Sequence, residues 1–413
     1  MRADVVVLGA GIVGVSVAAQ LQRRGGSVVL LDRRPPGEET SFGNSGLIQR
    51  EGVVPYGFPQ GLRELLSYVL NRSADAHYHL RALPRIAPFL ARYWWHSRPA
   101  RHAAIARLYR PLIEQSLAEH AALAEEAGAA ALIRQTGWIK LFRTERALDA
   151  SLSEAEAMRR AYAVRFTPLD RKALAEAEPH LGQDLVGGVH WTDPASLSDP
   201  LALTVAYVGL FERLGGRVAV GDAGTLAATP AGWRVATQAG PLDAGAAVLA
   251  LGAWADGLTR RLGYRIPLAV KRGYHMHYGT RGGAALSRPV LDFERGYLLA
   301  PMSRGVRLTT GAEFALRDAP PTPVQLDRVE PSARGLFPLG ERLDPKPWMG
   351  ARPCTPDMMP VIGPAPDHKG LWFAFGHAHH GLTLGPVTGR LLAEMMTGEP
   401  PFTDPHPYRA DRF

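Results

Sequence analysis

Cysteine is nearly absent. Cys354 is the single one in 413 residues, which excludes an internal disulfide and a cysteine-built metal cluster and suits a reducing cytoplasm. No stretch approaches the roughly 20 uninterrupted apolar residues that a membrane-spanning helix needs. Internal repeats and low-complexity tracts are missing, and a chain with 46% hydrophobic and 21% charged residues is neither disordered nor collagen-like. The chain opens almost directly on its first strand, with no room ahead of it for a charged n-region and cleavage site, so no secretion signal is expected. Acids are in deficit: 39 Asp and Glu against 47 Lys and Arg leave a net charge of +8, which favours anionic ligands or surfaces. The arginines are scattered, without interleaved aromatics or a nucleic-acid-binding motif, so no nucleic-acid partner is expected.

What is present begins at once. Asp4-Val5-Val6-Val7-Leu8 reads as a buried strand, followed by Gly9, Gly11 and Gly14 in the spacing G-x-G-x-x-G, with Ile12 and Val13 between. Val15 to Leu21 can carry a helix, and Val28-Val29-Leu30-Leu31-Asp32 is a second strand closed by an acid. This is the dinucleotide fingerprint in its required context. Gly9 permits the tight turn, Gly11 lets backbone approach a pyrophosphate, and Gly14 lets helix and strand pack closely. The helix N-terminus offers its unpaired N–H groups to phosphate, and Asp32 takes the hydroxyls of the adenosine ribose. Arg33 and the turn-rich run Thr40-Ser41-Phe42-Gly43-Asn44-Ser45-Gly46 should form a loop over the bound nucleotide.

At this length two domains are expected. From Leu83 to Gly128 the apolar spacing is helical, and prolines at 84, 88, 99 and 111 should divide it into separate helices. Its first part, around Trp94 and Trp95, mixes bases with bulky aromatics, a combination that rests on a membrane interface or packs on a neighbouring domain. Short helices are expected at Glu154–Ala163 and Arg171–Glu178, and a helix at Leu201–Leu214 capped by Ser198 or Asp199. The buried strand Ala246–Leu251 runs into Gly252 and Trp254, where an open α/β sheet contacts its ligand. Residues Val270 to Phe314 read as successive antiparallel strands, Pro320 to Pro323 as a linker, and Val387 to Thr397 as a final helix.

Taken in order, these segments resemble the FAD-dependent amino-acid oxidoreductases that include D-amino acid oxidase, glycine oxidase and monomeric sarcosine oxidase. Within that family they look like the bacterial D-amino acid dehydrogenase small-subunit and D-hydroxyproline dehydrogenase group. The resemblance runs from the fingerprint through Ala250-Leu251-Gly252-Ala253-Trp254, Arg272-Gly273-Tyr274-His275 and Gly311-Ala312-Glu313-Phe314. It continues in Arg352-Pro353-Cys354-Thr355-Pro356-Asp357, Gly376-His377 with Gly381-Leu382-Thr383, and Ala410-Asp411-Arg412-Phe413.

The likeness implies an α/β fold: a Rossmann-type, glutathione-reductase-like FAD-binding domain (1–80, 145–225 and 335–413) and a substrate domain on a mostly antiparallel sheet (81–144 and 226–334). It implies cofactor contacts from Gly381, Leu382 and Thr383, where a helix start faces the charge that appears on flavin reduction. It also implies that arginine holds an amino acid's carboxylate while hydride leaves Cα for flavin N5, the imine then hydrolysing. Arg352 stands in the carboxylate-binding position, and a planar guanidinium suits that task. Tyr274, His275 and His379 are the other expected catalytic residues. His379 stands where glycine oxidase has arginine, and the roles of His379 and His380 stay open. The sarcosine-oxidase flavin-bonding cysteine would fall at Gly350, so FAD should be noncovalent, and no metal is expected.

The expected substrate is a D-amino acid or cyclic imino acid such as D-proline or hydroxy-D-proline, with a quinone or other carrier as electron acceptor. The expected location is the cytoplasm or the inner face of its membrane. An oxygen-using glycine or sarcosine-type oxidase and a non-catalytic flavin-binding module are the competing readings, and homo-oligomers or partner subunits are left open. A second G-x-G-x-x-G, which an NADH-driven flavoenzyme needs, is missing.

Overall fold

The β-branched run after Met1 forms the strand Arg2–Leu8, and period-2 alternation splits it between two cores. Val5 and Val7 face one, and Val6 and Leu8 the other. In this computed structural model, which describes all residues except 62–64, 66–67, 69–70, 72–75 and 183, Arg2–Leu8 lies between two parallel neighbours. Val28–Asp32 pairs with it in the register Val5 with Val28, and Gly240–Leu249 in the register Val5 with Ala246. Leu371–Phe375 continues the sheet in parallel and Val361–Pro364 closes it antiparallel. Beyond Val28–Asp32 lies Arg217–Thr229, whose far half turns into an antiparallel excursion through Gly232–Thr237.

One face of this sheet is covered by the helices Ile12–Arg23, Pro99–Glu126, Pro200–Arg213 and Gly381–Thr397. The first and last approach so closely that a Cβ on Gly389 would lie 2.6 Å from the Ser16 carbonyl oxygen. That contact carries the C-terminal helix start to the mouth of the nucleotide site, although some 370 residues separate them in sequence.

The second sheet has eleven strands and is mostly antiparallel. Its spine is Ala269–Thr280, which pairs along its first half with Trp348–Cys354 and along its second with Gly305–Thr310. Arg272, Tyr274, Met276 and Tyr278 take one face, the last two in an apolar core under the helix Val324–Leu336. Lys271, Gly273, His275 and His277 take the other, toward the nucleotide-binding sheet.

Strand pairing moves three expected boundaries. Residues 226–249, assigned above to the substrate domain, belong to the nucleotide-binding sheet, because Gly240–Leu249 pairs directly with Arg2–Leu8. Phe166–Asp170 and Gly187–Trp191, assigned to the FAD-binding domain, extend the antiparallel sheet, as does Trp348–Cys354.

Two of the four prolines do not end helices. Leu83–His96 and Pro99–Glu126 are separated only at Ser97 and Arg98, while Pro88 and Pro111 lie inside them. Pro88 is exposed and Pro111 half-buried, so a carbonyl freed by the missing N–H meets water. The last helix begins at Gly381, six residues before the expected Val387, and runs through Pro386. Asp199, rather than Ser198, caps Pro200–Arg213, accepting from the N–H groups of Leu201 and Ala202 at 3.0 Å each. No helix among the described residues is long and apolar enough to cross a membrane.

Candidate active site

A cavity of about 1300 Å³ runs from the glycine turn to the antiparallel sheet. Its first end is built from Gly9, Gly11, Ile12, Val13, Asp32, Arg33, Thr40, Ser41, Asn44 and Ser45, with Gly252 and Trp254 opposite. Gly9 adopts φ +106°, and a Cβ there would lie 2.5 Å from the Ala250 carbonyl oxygen. Gly14 stands behind the wall, where a Cβ would come 1.8 Å from the Gly9 carbonyl oxygen, so it packs helix on strand. Asp32 accepts from Ala10 N–H at 2.7 Å, which orients its carboxylate, and Ser41 Oγ accepts from Ile12 N–H at 3.0 Å. The Arg33 guanidinium lies 5.0 Å from the Trp254 ring centroid, a cation–π pair at the cavity edge.

Besides Gly14, two expected cofactor contacts do not line the cavity. Gly46 donates its N–H to Asn44 Oδ1 and adopts φ +74°, shaping the loop from behind. Thr383 Oγ1 is occupied by Gln49 N–H and the Leu47 carbonyl, tying the strand Leu47–Ile48 to the last helix.

At the other end, the start of Gly381–Thr397 faces the cavity through Gly381 and Leu382, and no side chain caps it. The preceding loop separates the two open histidine positions. His379 borders the cavity and its buried Nδ1 has no partner among the described residues, whereas His380 is buried behind it, with Nδ1 2.8 Å from Tyr109 Oη. Burial, with help from Arg352 and Lys271, drives the His379 pKa well below its ordinary value. His379 is therefore neutral.

The cations Arg352 and Lys271 have no acid partner among the described residues. Arg352 donates from Nη1 to the carbonyls of Arg272 and Gly311 at 3.4 and 3.3 Å, and makes no ion pair among the described residues. Its guanidinium spreads over Gly273, where a Cβ would lie 2.5 Å from Nη2. Directly across the strand pair stands Lys271, 4% exposed, whose Nζ donates to Tyr93 Oη at 2.9 Å. Burial lowers the Lys271 pKa to about 8, opposed by Cys354 and assisted by Arg352. Like charges on adjacent strands repel, and buried charges require partners. Both cations line the cavity, so the missing charge is one the cavity can receive.

The other expected catalytic positions on this strand lie elsewhere. Tyr274 borders the cavity, but its side chain takes the opposite face of the sheet, donating to Glu313 at 2.9 Å and accepting from Thr322 N–H at 2.8 Å. His275 shares a face with Lys271 but not the cavity, because Trp348 stacks on it at 4.8 Å and Phe42 packs at 5.8 Å. Burial takes its pKa down to about 2. Lys271 itself was not anticipated; alternation groups it with Gly273, but only the register against Trp348–Cys354 reveals its partner. Tyr56, in an irregular segment, also went unread. It packs 4.7 Å from His379, and 52% of it is open to the cavity, where the surrounding protein still withholds bulk water and raises its phenol pKa.

Side-chain-free approaches at Gly9 and Gly11, the uncapped start of Gly381–Thr397 and a buried His379 nitrogen with no partner among the described residues fit a flavin dinucleotide laid along the cavity. Such a cradle, opening toward two cations that meet no carboxylate among the described residues, is that of a flavin-dependent oxidoreductase. Residues 4–395 match the DAO family of FAD dependent oxidoreductases, and the chain belongs to that family, with FAD as its cofactor. It is 32% identical to a D-amino acid dehydrogenase of Sinorhizobium medicae, over 95% of each chain. It is 28% identical to a D-amino-acid oxidase of Bradyrhizobium diazoefficiens, over 99% of this chain and 98% of that one. Among solved structures it is similar to glycine oxidase from Geobacillus kaustophilus, with a TM-score of 0.77 and 23% identity over 100% and 99% of the two chains.

Proposed function

We propose that the protein oxidises a D-amino acid or cyclic imino acid at Cα, with D-proline and hydroxy-D-proline as candidate substrates and a quinone or other carrier as the final acceptor. The observation that carries the reading is the Arg352–Lys271 pair, a half-buried and a buried cation that line one cavity and meet no carboxylate among the described residues. An α-carboxylate answers both. Arg352 supplies a planar fork for two parallel charge-assisted bonds, and Lys271 a point charge beside it. The names of the relatives agree with a D-amino acid.

When bound, FAD supplies the acceptor for the two electrons and the hydrogen that leave Cα. The chain's own task is orientation and solvent exclusion. With the carboxylate fixed, the amine lies toward neutral His379 and the Tyr56 hydroxyl, which offer hydrogen bonds without a positive charge to oppose an ammonium losing its proton. The start of Gly381–Thr397 presents backbone N–H groups where negative charge accumulates. Loss of hydride leaves an imine, which water converts to a 2-oxo acid and ammonia, or to a ring-opened amino ketone acid from proline. Gly350 lines the cavity with no side chain, and buried Cys354 does not line it, which supports noncovalent binding in that no cysteine is placed to bond the flavin.

The test is to incubate the holoenzyme with single D- and L-amino acids and an artificial electron-accepting dye, assaying the oxo or ring-opened product. Product from D-isomers supports the reading. Product from L-isomers alone removes the stereochemical assignment, and no product from either removes the activity. Equal turnover with oxygen and no dye would identify an oxidase.

A further inference from the structure

From Ala76 to Ile113 the chain contains no Asp or Glu but seven arginines: Arg81, Arg85, Arg92, Arg98, Arg101, Arg107 and Arg110. Only Arg110 finds a carboxylate among the described residues, Glu114 at 2.7 Å. Elsewhere the protein pairs many of its surface arginines with acids, as at Arg159 and Arg160 with Glu156, so this absence is local. Asp357, whose field reaches His96 at the edge of the region, is already engaged by Arg412 at 2.8 Å.

The helix Leu83–His96 sorts its residues by face. Ile86, Phe89 and Tyr93 are buried, and Leu83, Leu90 and Tyr93 border the cavity. Arg85, Pro88, Arg92 and Trp95, at spacings of three and four, form one exposed stripe, which Arg81 extends across the preceding turn. At 100° per residue this stripe points away from Leu83 and Leu90. Two large apolar side chains stand open along it: Leu80 is 72% exposed and Trp95 41%. Arg98 and Arg101 lie 4.1 and 4.6 Å from the Trp95 ring centroid, so the indole is covered by cations rather than by another domain.

An exposed tryptophan and leucine within a field of arginines, of which all but Arg110 meet no carboxylate among the described residues, match the headgroup region of a bilayer, where indole sits between water and acyl chains and arginine meets phosphate. We propose that this stripe docks the protein, peripherally and reversibly, on the surface of an anionic phospholipid bilayer. Positive charge with no acid between residues 76 and 113 favours phosphate headgroups over a protein surface of mixed sign. The same helix forms a wall of the cavity, so docking brings the site within about one helix diameter, ~10 Å, of the lipid. The inference stands apart from the assignment of substrate.

The experiment is co-sedimentation of the holoenzyme with vesicles of phosphatidylglycerol and phosphatidylcholine, against phosphatidylcholine alone, at low and high salt. Each arginine near an anionic surface contributes about a fivefold gain in partition, so Arg81→Gln/Arg85→Gln/Arg92→Gln lowers binding about 100-fold. Dye-linked turnover and melting temperature are unchanged, since none of the three touches the cavity. Arg159→Gln/Arg160→Gln, which removes charge elsewhere, leaves binding intact. Failure to bind phosphatidylglycerol vesicles at low salt overturns the proposal. So does binding by the triple variant within about threefold of the parent, or equal binding to both vesicle types.

Discussion

Replacing Arg352 by methionine removes a charge and a fork while keeping most of the stem that packs over Gly273. If the guanidinium receives the substrate carboxylate, two charge-assisted hydrogen bonds are lost at about 1.5–3 kcal/mol each. At 1.36 kcal/mol per decade the fall in kcat/KM is about 10²–10⁴-fold. Lys271 remains to hold the same carboxylate, so the lower end is expected. The free protein should lose little stability, because burial already disfavours the Arg352 charge, its hydrogen bonds to carbonyls are long at 3.3 and 3.4 Å, and removing it relieves repulsion with Lys271. Rapid mixing under anaerobic conditions, with substrate varied, separates binding from the rate of flavin reduction, and thermal melting of the same sample reports stability. Arg352→Met with kcat/KM within about threefold of the parent refutes the assignment. A large drop in melting temperature with unchanged kinetics would show that the residue serves the sheet instead.

Other consequences follow from the same geometry. Lys271 must be protonated to hold a carboxylate, and its pKa is lowered from 10.5 to about 8, so kcat/KM should fall as pH rises through 8. Lys271→Arg should carry the plateau past that pH, which a pH profile of both proteins checks. Glu51, buried with Oε2 unpartnered among the described residues and Oε1 accepting from Trp138 Nε1 at 2.7 Å, has its pKa raised from 4.5 to about 7. The folded state then binds the extra proton between those values, so stability falls as pH rises from 4.5 through 7 and levels above. Glu51→Gln should abolish that loss, on the order of 3 kcal/mol at most, in denaturant melts at about pH 5 and 8. Finally, acid precipitation should leave all yellow colour in the supernatant, whereas flavin retained in the pellet would show a covalent link.

The nucleotide-binding end was legible because its signal is local. Gly9, Gly11, Gly14 and Asp32 lie within one strand–turn–helix unit, and steric demands fix both residue type and spacing. The catalytic end was legible only in part, because it is assembled by pairing between distant strands. Arg352 could be named from its motif, but Lys271 becomes its neighbour only through the register of Ala269–Thr280 against Trp348–Cys354. The choice between Tyr274 and His275 needed more than alternation, since the inward face is partly roofed by Phe42 and Trp348 and a residue on it can still miss the cavity. His379 and His380 are adjacent in sequence, and the turn at Ala378, with φ +48°, precedes their division between cavity and core. Domain limits were displaced for a similar reason: Gly240–Leu249 follows a surface excursion but returns to the centre of the first sheet.

The most direct measurement is an anaerobic titration of the purified holoenzyme with D-proline, hydroxy-D-proline, other D-amino acids and their L-counterparts, following the long-wavelength flavin absorbance. The account predicts bleaching by D-isomers, with an isosteric amine lacking the carboxylate leaving the colour intact. An unbleached flavin with every amino acid, or equal bleaching by the amine without its carboxylate, would contradict it.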